Sequence, residues 1–213
     1  MHDYTSNKLH TLADHIVEMA ANKSRYIFAI AGAPGSGKST LAQSLQQLIC
    51  VNHQRSCQIV AMDGFHLDNQ ELIQRQLLEV KGAPETFDLE GFRKLLADIK
   101  SNQGKIYAPI FDRDIDAVVE NAYEISTDTH IILVEGNYLL LKQSGWQQLA
   151  QYYDSSAYLE VPIALLRERL VGRWLSQNLD IDMAIAKAEH NDLPNAKLVI
   201  NESNAADITL SIR

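Results

Sequence analysis

The 213-residue sequence holds only two cysteines, Cys50 and Cys57. They form no C-x-x-C pair and share no metal-ligand spacing with histidine, which argues against a disulfide framework and a zinc site and leaves two buried thiols as the expectation. No apolar run approaches the roughly 20 residues that cross a bilayer. The strongest runs, Ile131 to Val134 and Tyr138 to Leu141, are far shorter, so no membrane segment is expected. The first ten residues carry an acid and lack the apolar core of a secretory signal, which makes the cytoplasm the expected location. Basic charge is in deficit. Against 19 Lys and Arg stand 27 Asp and Glu, a formal net charge of −8 that offers no sequence-independent grip on nucleic acid. Repeats, low-complexity tracts and linkers are also missing.

What is present has the balance of a globular protein, 46% apolar and 22% charged. Taking about 150 residues per domain, residues 1–213 read as a single domain. Leu9, Leu12, Ala13, Ile16, Val17 and Ala20 have the spacing of an amphipathic helix. Tyr26 to Ala31 is a short apolar run of the kind buried on both faces of a parallel sheet. A helix from Lys38 to about Cys50 and a strand from Gln58 to Met62 complete a βαβ unit. Two helical patterns between Asp68 and about Lys100 are separated by Lys81 to Phe87, whose Gly and Pro interrupt them, as in an insert over the sheet edge. Ile106 to Phe111 and Ala122 to Ile125 read as short extended segments, and Ile131 to Val134 and Ala157 to Val161 as core strands. Pro162 opens a helix to about Gln177, and a second runs from about Asp182 to Glu189. Leu198 to Ile200 and Ile208 to Ile212 read as closing strands with a hairpin around Ser203 and Asn204. The pattern predicts an α/β fold, a central parallel sheet flanked by helices.

Gly32-Ala33-Pro34-Gly35-Ser36-Gly37-Lys38-Ser39 matches G-x-x-x-x-G-K-[ST] after a predicted strand and before a predicted helix, the setting that a phosphate-binding P-loop (Walker A) requires. Glycines let the backbone approach phosphates, and successive N–H groups and the helix N-terminus favour the anion. Lys38 is expected at the β and γ phosphates and Ser39 on Mg²⁺. A plain glycine turn does not account for lysine and serine at those positions. The nucleotide-binding set is thus Gly32 through Ser39 with Thr40. No N-K-x-D or L-S-G-G-Q motif occurs, so ATP is the default nucleotide.

Two carboxylates follow predicted strands. Asp63, at the carboxyl end of the second strand, sits where open α/β sheets bind ligands and can take the proton of an attacking hydroxyl; because glycine follows, a turn aspartate is the rival reading. Glu135 ends the Ile131 to Val134 strand in the manner of a Walker B carboxylate holding Mg²⁺ through water, with a solvated strand tip as the alternative. Arg167, Arg169 and Arg173 lie on the helix after Pro162. Arg169 and Arg173, four apart, can clamp a phosphoryl group, whereas a solvated helix face is the plainer account. His66, Tyr107, Asp112 and Arg113 are candidate walls of an acceptor pocket, and Trp146 and Trp174 are assigned to packing.

With Ala31 through Thr40, Met62-Asp-Gly-Phe-His66, Leu133-Val-Glu-Gly136 and Arg169-Leu-Val-Gly-Arg173 in order, the chain resembles the phosphoribulokinase and uridine kinase family. Gly82-Ala-Pro-Glu-Thr-Phe-Asp88 and Tyr107-Ala-Pro-Ile-Phe111 are similar to segments of bacterial type I pantothenate kinases. Phe111-Asp112-Arg113 is at least as similar to short bacterial fructose-transport-type kinase-like proteins. The resemblance implies a P-loop NTPase fold with the P-loop strand at the sheet centre, Asp63 as base, and a helical lid over about 163–190 bearing Arg169 and Arg173. It implies a cytoplasmic ATP- and Mg²⁺-dependent kinase that phosphorylates a hydroxyl of a small molecule. Few stacking surfaces and the Asp112-Arg113 pair rank a sugar or sugar acid first, pantothenate second and a uridine-type nucleoside third. A nucleotide hydrolase or sensor without a second substrate is the other class, and a homodimer is left open.

Overall fold

The computed structural model describes residues 6–143 and 145–212. Helix α1 (Ser6–Ala20) leads to strand β1 (Tyr26–Gly32), every residue of which is buried. Helix α2 (Lys38–Asn52) and strand β2 (Cys57–Ala61) follow, and a 3₁₀ turn, Met62–Phe65, carries the chain off the sheet. Helices α3 (Asn69–Gln74) and α4 (Leu89–Ser101) bracket the Gly82 region, each N-capped by an aspartate, Asp68 and Asp88, that accepts an N–H of the first turn. Strands β3 (Ile106–Asp112) and β4 (Ala117–Ile125) form a separate antiparallel hairpin. Then come β5 (Ile131–Gly136), β6 (Ser155–Glu160), α5 (Ile163–Ser176), α6 (Ile181–Lys187), a π-helical turn Ala188–Asp192, α7 (Leu193–Glu202) and β7 (Ile208–Ser211).

The main sheet has the order β2-β5-β1-β6-β7 and is parallel throughout, with β1 at its centre. Alternation along β1 divides the core between its faces. Tyr26, Phe28 and Ile30 pack with Leu12 and Ile16 of α1 and Leu41, Leu45 and Ile49 of α2. Ile27, Ala29 and Ala31 pack with Phe92 and Leu96 of α4, Leu166 and Leu170 of α5, and Val199 of α7. A continuous apolar strand is thus the consequence of helices on both faces. No helix of the described residues is long and apolar enough to cross a membrane.

Four expectations need correction. Leu198 to Ile200 is helical, within α7, and its apolar residues belong to a helix face on which Leu193, Ala196 and Val199 are buried. The hairpin around Ser203 and Asn204 does not form, because β7 runs parallel to β6. Cys50 is exposed at the end of α2, while Cys57 is buried at the start of β2, where desolvation raises its thiol pKa strongly. The segment expected at Ala122 to Ile125 begins earlier, at Ala117, because it pairs along almost its whole length with β3.

Candidate active site

A cavity of about 410 Å³ opens at the carboxyl ends of the sheet strands, walled by Pro34, Gly35, Gly37, Lys38, Ser39, Thr40, Asp63, Arg113, Glu135, Asn137, Arg169 and Arg173. Its floor is the turn between β1 and α2. Gly35 and Gly37 adopt left-handed φ angles of 78° and 95°, and Gly37 caps α2 with no side-chain hydrogen bond, so the N-terminus of α2 faces the cavity. A Cβ on Gly37 would meet nothing within 4 Å, so its glycine requirement comes from the backbone angle and from keeping that N-terminus open. Ser36 is fully buried, and its hydroxyl has no hydrogen-bond partner among the described residues.

Lys38 is buried, and its Nζ donates to the Ala33 carbonyl at 3.1 Å, the carbonyl of the loop it closes. Burial lowers its pKa, opposed chiefly by Glu135 and then Asp63. Glu135, at the end of β5 beside β1, is likewise buried, and burial raises its pKa against the pull of Lys38. Its Oε1 accepts from Ser39 Oγ at 2.8 Å, so a hydroxyl and a carboxylate separated by 96 positions meet on the cavity wall. Asp63, in the 3₁₀ turn after β2, accepts from Arg113 Nη2 at 2.7 Å; Arg113 lies just past β3 in the hairpin turn. Arg169 reaches the back of the P-loop, donating to the carbonyls of Gly35 and Ser36 at 3.4 and 3.3 Å. Arg173 donates to Asp192 at 2.7 Å. Arg167 instead pairs with Glu189 at 2.6 Å on an exposed surface, away from the cavity lining.

The acceptor-wall candidates divide. Arg113 lines the P-loop cavity, but Tyr107 and Asp112 do not. Tyr107 points along the hairpin, its hydroxyl donating to Glu124 at 3.2 Å, and lines a neighbouring cleft with His66 and Asp88. Asp112 accepts the Asp114 N–H at 2.9 Å, a local bond that shapes the hairpin turn. His66 packs between Phe87 and Phe111, with ring centroids 4.1 and 4.7 Å away; its Nδ1 is 2.8 Å from the Asp63 carbonyl, and burial lowers its pKa. It supports the Asp63 turn from behind. Trp146 is core, whereas Trp174 is only partly buried and donates its indole N–H to Asp192. Asn137 and Asp192 were not singled out from the sequence. Asn137 follows Glu135 by two positions and was within reach of strand-end reasoning; Asp192 carries no local signal.

Comparison with known proteins gives a consistent picture. The model of the phosphoribulokinase / uridine kinase family matches residues 27–173. The "Uncharacterized protein YggC" of Escherichia coli (strain K12) is 33% identical over 205 residues, covering 96% of this chain and 84% of that protein. The pantothenate kinase of Ligilactobacillus salivarius (strain UCC118) is 34% identical over 156 residues, covering 72% of this chain but 51% of its own length. A Silicibacter sp. TM1040 protein of known crystal structure, named "putative fructose transport system kinase", is 42% identical with a TM-score of 0.90, covering 95% of this chain and 98% of that one.

Proposed function

The chain belongs to the phosphoribulokinase / uridine kinase family, ATP-dependent phosphotransferases acting on an alcohol, and from that premise we propose that its acceptor is a small sugar or sugar acid bound between Asp63 and Arg113. The observation that carries this reading is the Asp63–Arg113 pair, 2.7 Å across, in the same cavity as the P-loop. A carboxylate and a guanidinium side by side offer an acceptor and a planar set of donors, a match for vicinal hydroxyls or for a hydroxyl beside a carboxylate. Arg113 also lies 6.0 Å from the Phe111 ring, and Lys81 lies 5.0 Å from it, so the aromatic surface nearest the pair is already covered by cations. That speaks against base stacking, and we rank pantothenate second and a nucleoside third. The name of the Silicibacter relative supports the sugar reading, and that of the Ligilactobacillus relative supports the second.

In the proposed reaction the acceptor hydroxyl oxygen bonds to the γ-phosphorus as the bond to the β,γ-bridging oxygen breaks, and Asp63 takes the hydroxyl proton. Loop N–H groups and Lys38 hold the phosphates, and Arg169 and Arg173, on a lid over about 163–190, neutralise charge that spreads over the γ-oxygens. Ser39 and Glu135 present a hard, all-oxygen donor pair suited to Mg²⁺. Among the described residues no cluster of three or more His, Cys, Asp or Glu could hold a metal, so the ion would complete its shell with water and phosphate oxygens. When bound it would offset phosphate charge. A hydrolase or sensor without an acceptor remains the rival class, and a cytoplasmic location is part of the proposal.

The test is an ATP-consumption screen over sugars, sugar acids, pantothenate and nucleosides, followed by Arg113→Ala with the best acceptor. A sugar or sugar acid should lead, and the substitution should raise the acceptor KM by about tenfold or more while changing the ATP KM little. A nucleoside as best acceptor, or an unchanged acceptor KM, would sink the ranking. ATP turnover indifferent to every acceptor would favour the hydrolase.

A further inference from the structure

Arg173 reaches the cavity from the last turn of α5, and a long cationic side chain there needs something to hold its guanidinium in one place. Free, such a side chain carries rotamer entropy that must be lost before it can meet a phosphoryl group. Asp192 is buried, and both of its carboxylate oxygens are engaged by consecutive residues of α5. Oδ1 accepts from Arg173 Nη2 at 2.7 Å, and Oδ2 accepts from Trp174 Nε1 at 2.6 Å. The Arg173 guanidinium also lies 5.1 Å from the Trp174 ring, so the two partners of the carboxylate pack on each other.

Asp192 closes the π-helical turn Ala188–Asp192, where one extra residue per turn shifts the side chains relative to α6 and α7. Such turns cost backbone energy and recur where a side chain has to be re-aimed. This one is fastened: Asn191 Nδ2 donates to the Lys81 carbonyl at 2.7 Å, and Asn195 Nδ2 donates to Asn191 Oδ1 at 3.2 Å. The turn that carries the carboxylate is therefore tied through Asn191 to the insert before α4, outside α5, and the carboxylate defines a point to which α5 brings Arg173.

We infer that Asp192 is a positioning residue for phosphoryl transfer, acting through Arg173 by fixing its guanidinium at the cavity wall. This rests on the proposal that Arg173 acts on the transferring group. Asp192→Asn keeps the volume but replaces one acceptor oxygen by an NH₂ that faces a donor. It should lower kcat by about tenfold or more, raise the ATP KM modestly and leave the acceptor KM within about threefold, because a misplaced Arg173 loses its contact with the γ-phosphoryl group chiefly in the transition state and in smaller part in bound ATP.

A double-mutant cycle separates this from a merely structural role. In an Arg173→Ala background, Asp192→Asn should cost less than about twofold further, since residues acting as a unit are not additive. A second readout needs no acceptor: the ratio of ADP to ATP dissociation constants by calorimetry should fall in Asp192→Asn and in Arg173→Ala, and no further in the double variant. Trp174→Phe frees Oδ2 without removing the carboxylate; it should lower kcat less, again only when Arg173 is present, and it serves if Asp192→Asn does not fold. Equal losses in both backgrounds, or full kcat and an unchanged nucleotide ratio in Asp192→Asn beside a slow Arg173→Ala, would overturn the inference. Full activity in Arg173→Ala would overturn it together with the role given to Arg173, while the acceptor screen judges the kinase assignment separately.

Discussion

At the scale of single residues the site is a set of charges held against their own desolvation. Burial lowers the pKa of Lys38 and raises that of Glu135, each partly restored by the other. For Glu135 the folded pKa lies above the unfolded value, so its contribution to stability is lost as pH rises from that value through the folded one. For Lys38 the folded pKa lies below the unfolded value, so its contribution is lost as pH falls through that window. In its charged form each group carries a stability cost borne for phosphate binding. The double variant Lys38→Met/Glu135→Gln, which removes the pair without orphaning either member, should therefore melt no lower than the parent at neutral pH without nucleotide, and be inactive. A melting temperature several degrees lower would count against this account. Lys38→Ala alone should lower ATP turnover by orders of magnitude. Asp63→Asn should lower kcat about 100-fold or more with nucleotide affinity nearly unchanged, and parallel loss of ATP binding would instead mark Asp63 as structural. Lys38, Ser39 and Glu135 were legible in sequence because a loop motif and a strand end are local patterns. The Asp63–Arg113 pair, 50 positions apart, and Arg173–Asp192, 19 apart, depend on how a hairpin and a π-turn fold back, which no spacing rule encodes.

At the scale of elements the turn bearing Asp63 is held by close backbone approach. A Cβ on Gly64 would lie 2.6 Å from the Pro109 carbonyl oxygen of β3, nearer than such atoms come without backbone movement. Gly64→Ala should thus push the Met62–Phe65 turn off the hairpin, costing about 1–3 kcal/mol in urea unfolding and lowering kcat by moving Asp63 relative to Arg113. An unchanged urea midpoint would mean that the hairpin yields instead. The glycine was visible in the sequence, but only as a turn residue after Asp63; its contact with Pro109 belongs to the hairpin. Strands β1 and β5 were legible because helices on both faces make them continuous apolar runs. Leu198 to Ile200 failed for a related reason: three consecutive apolar residues, two of them β-branched, imitate a strand locally, while Leu193, Ala196 and Val199 set the helical period.

At the scale of the whole molecule the two ends of the sheet do different work. The carboxyl ends of β1 and β5 and the turn after β2 carry the cavity, while the opposite end is closed by one buried cation. Arg25, just before β1, is 6% exposed and donates to three carbonyls: Thr129 through Nε at 2.9 Å, Ile99 through Nη1 at 3.2 Å and Ser126 through Nη2 at 2.6 Å. It ties the last turn of α4 and the turn between β4 and β5 to the start of the central strand. Removing it would strand buried carbonyls, each costing about 1–3 kcal/mol when unsatisfied. Arg25→Met should therefore cost about 3 kcal/mol or more by urea denaturation, with kcat within about twofold of the parent under conditions where the protein remains folded. The separation follows from geometry, since every residue given a chemical role lies at the carboxyl end of the sheet or on the hairpin and helices above it. If Arg25→Met left the urea midpoint unchanged but reduced kcat tenfold, the two ends would be coupled, and the hairpin bearing Arg113, which follows α4 in the chain, would be the element to examine for the connection.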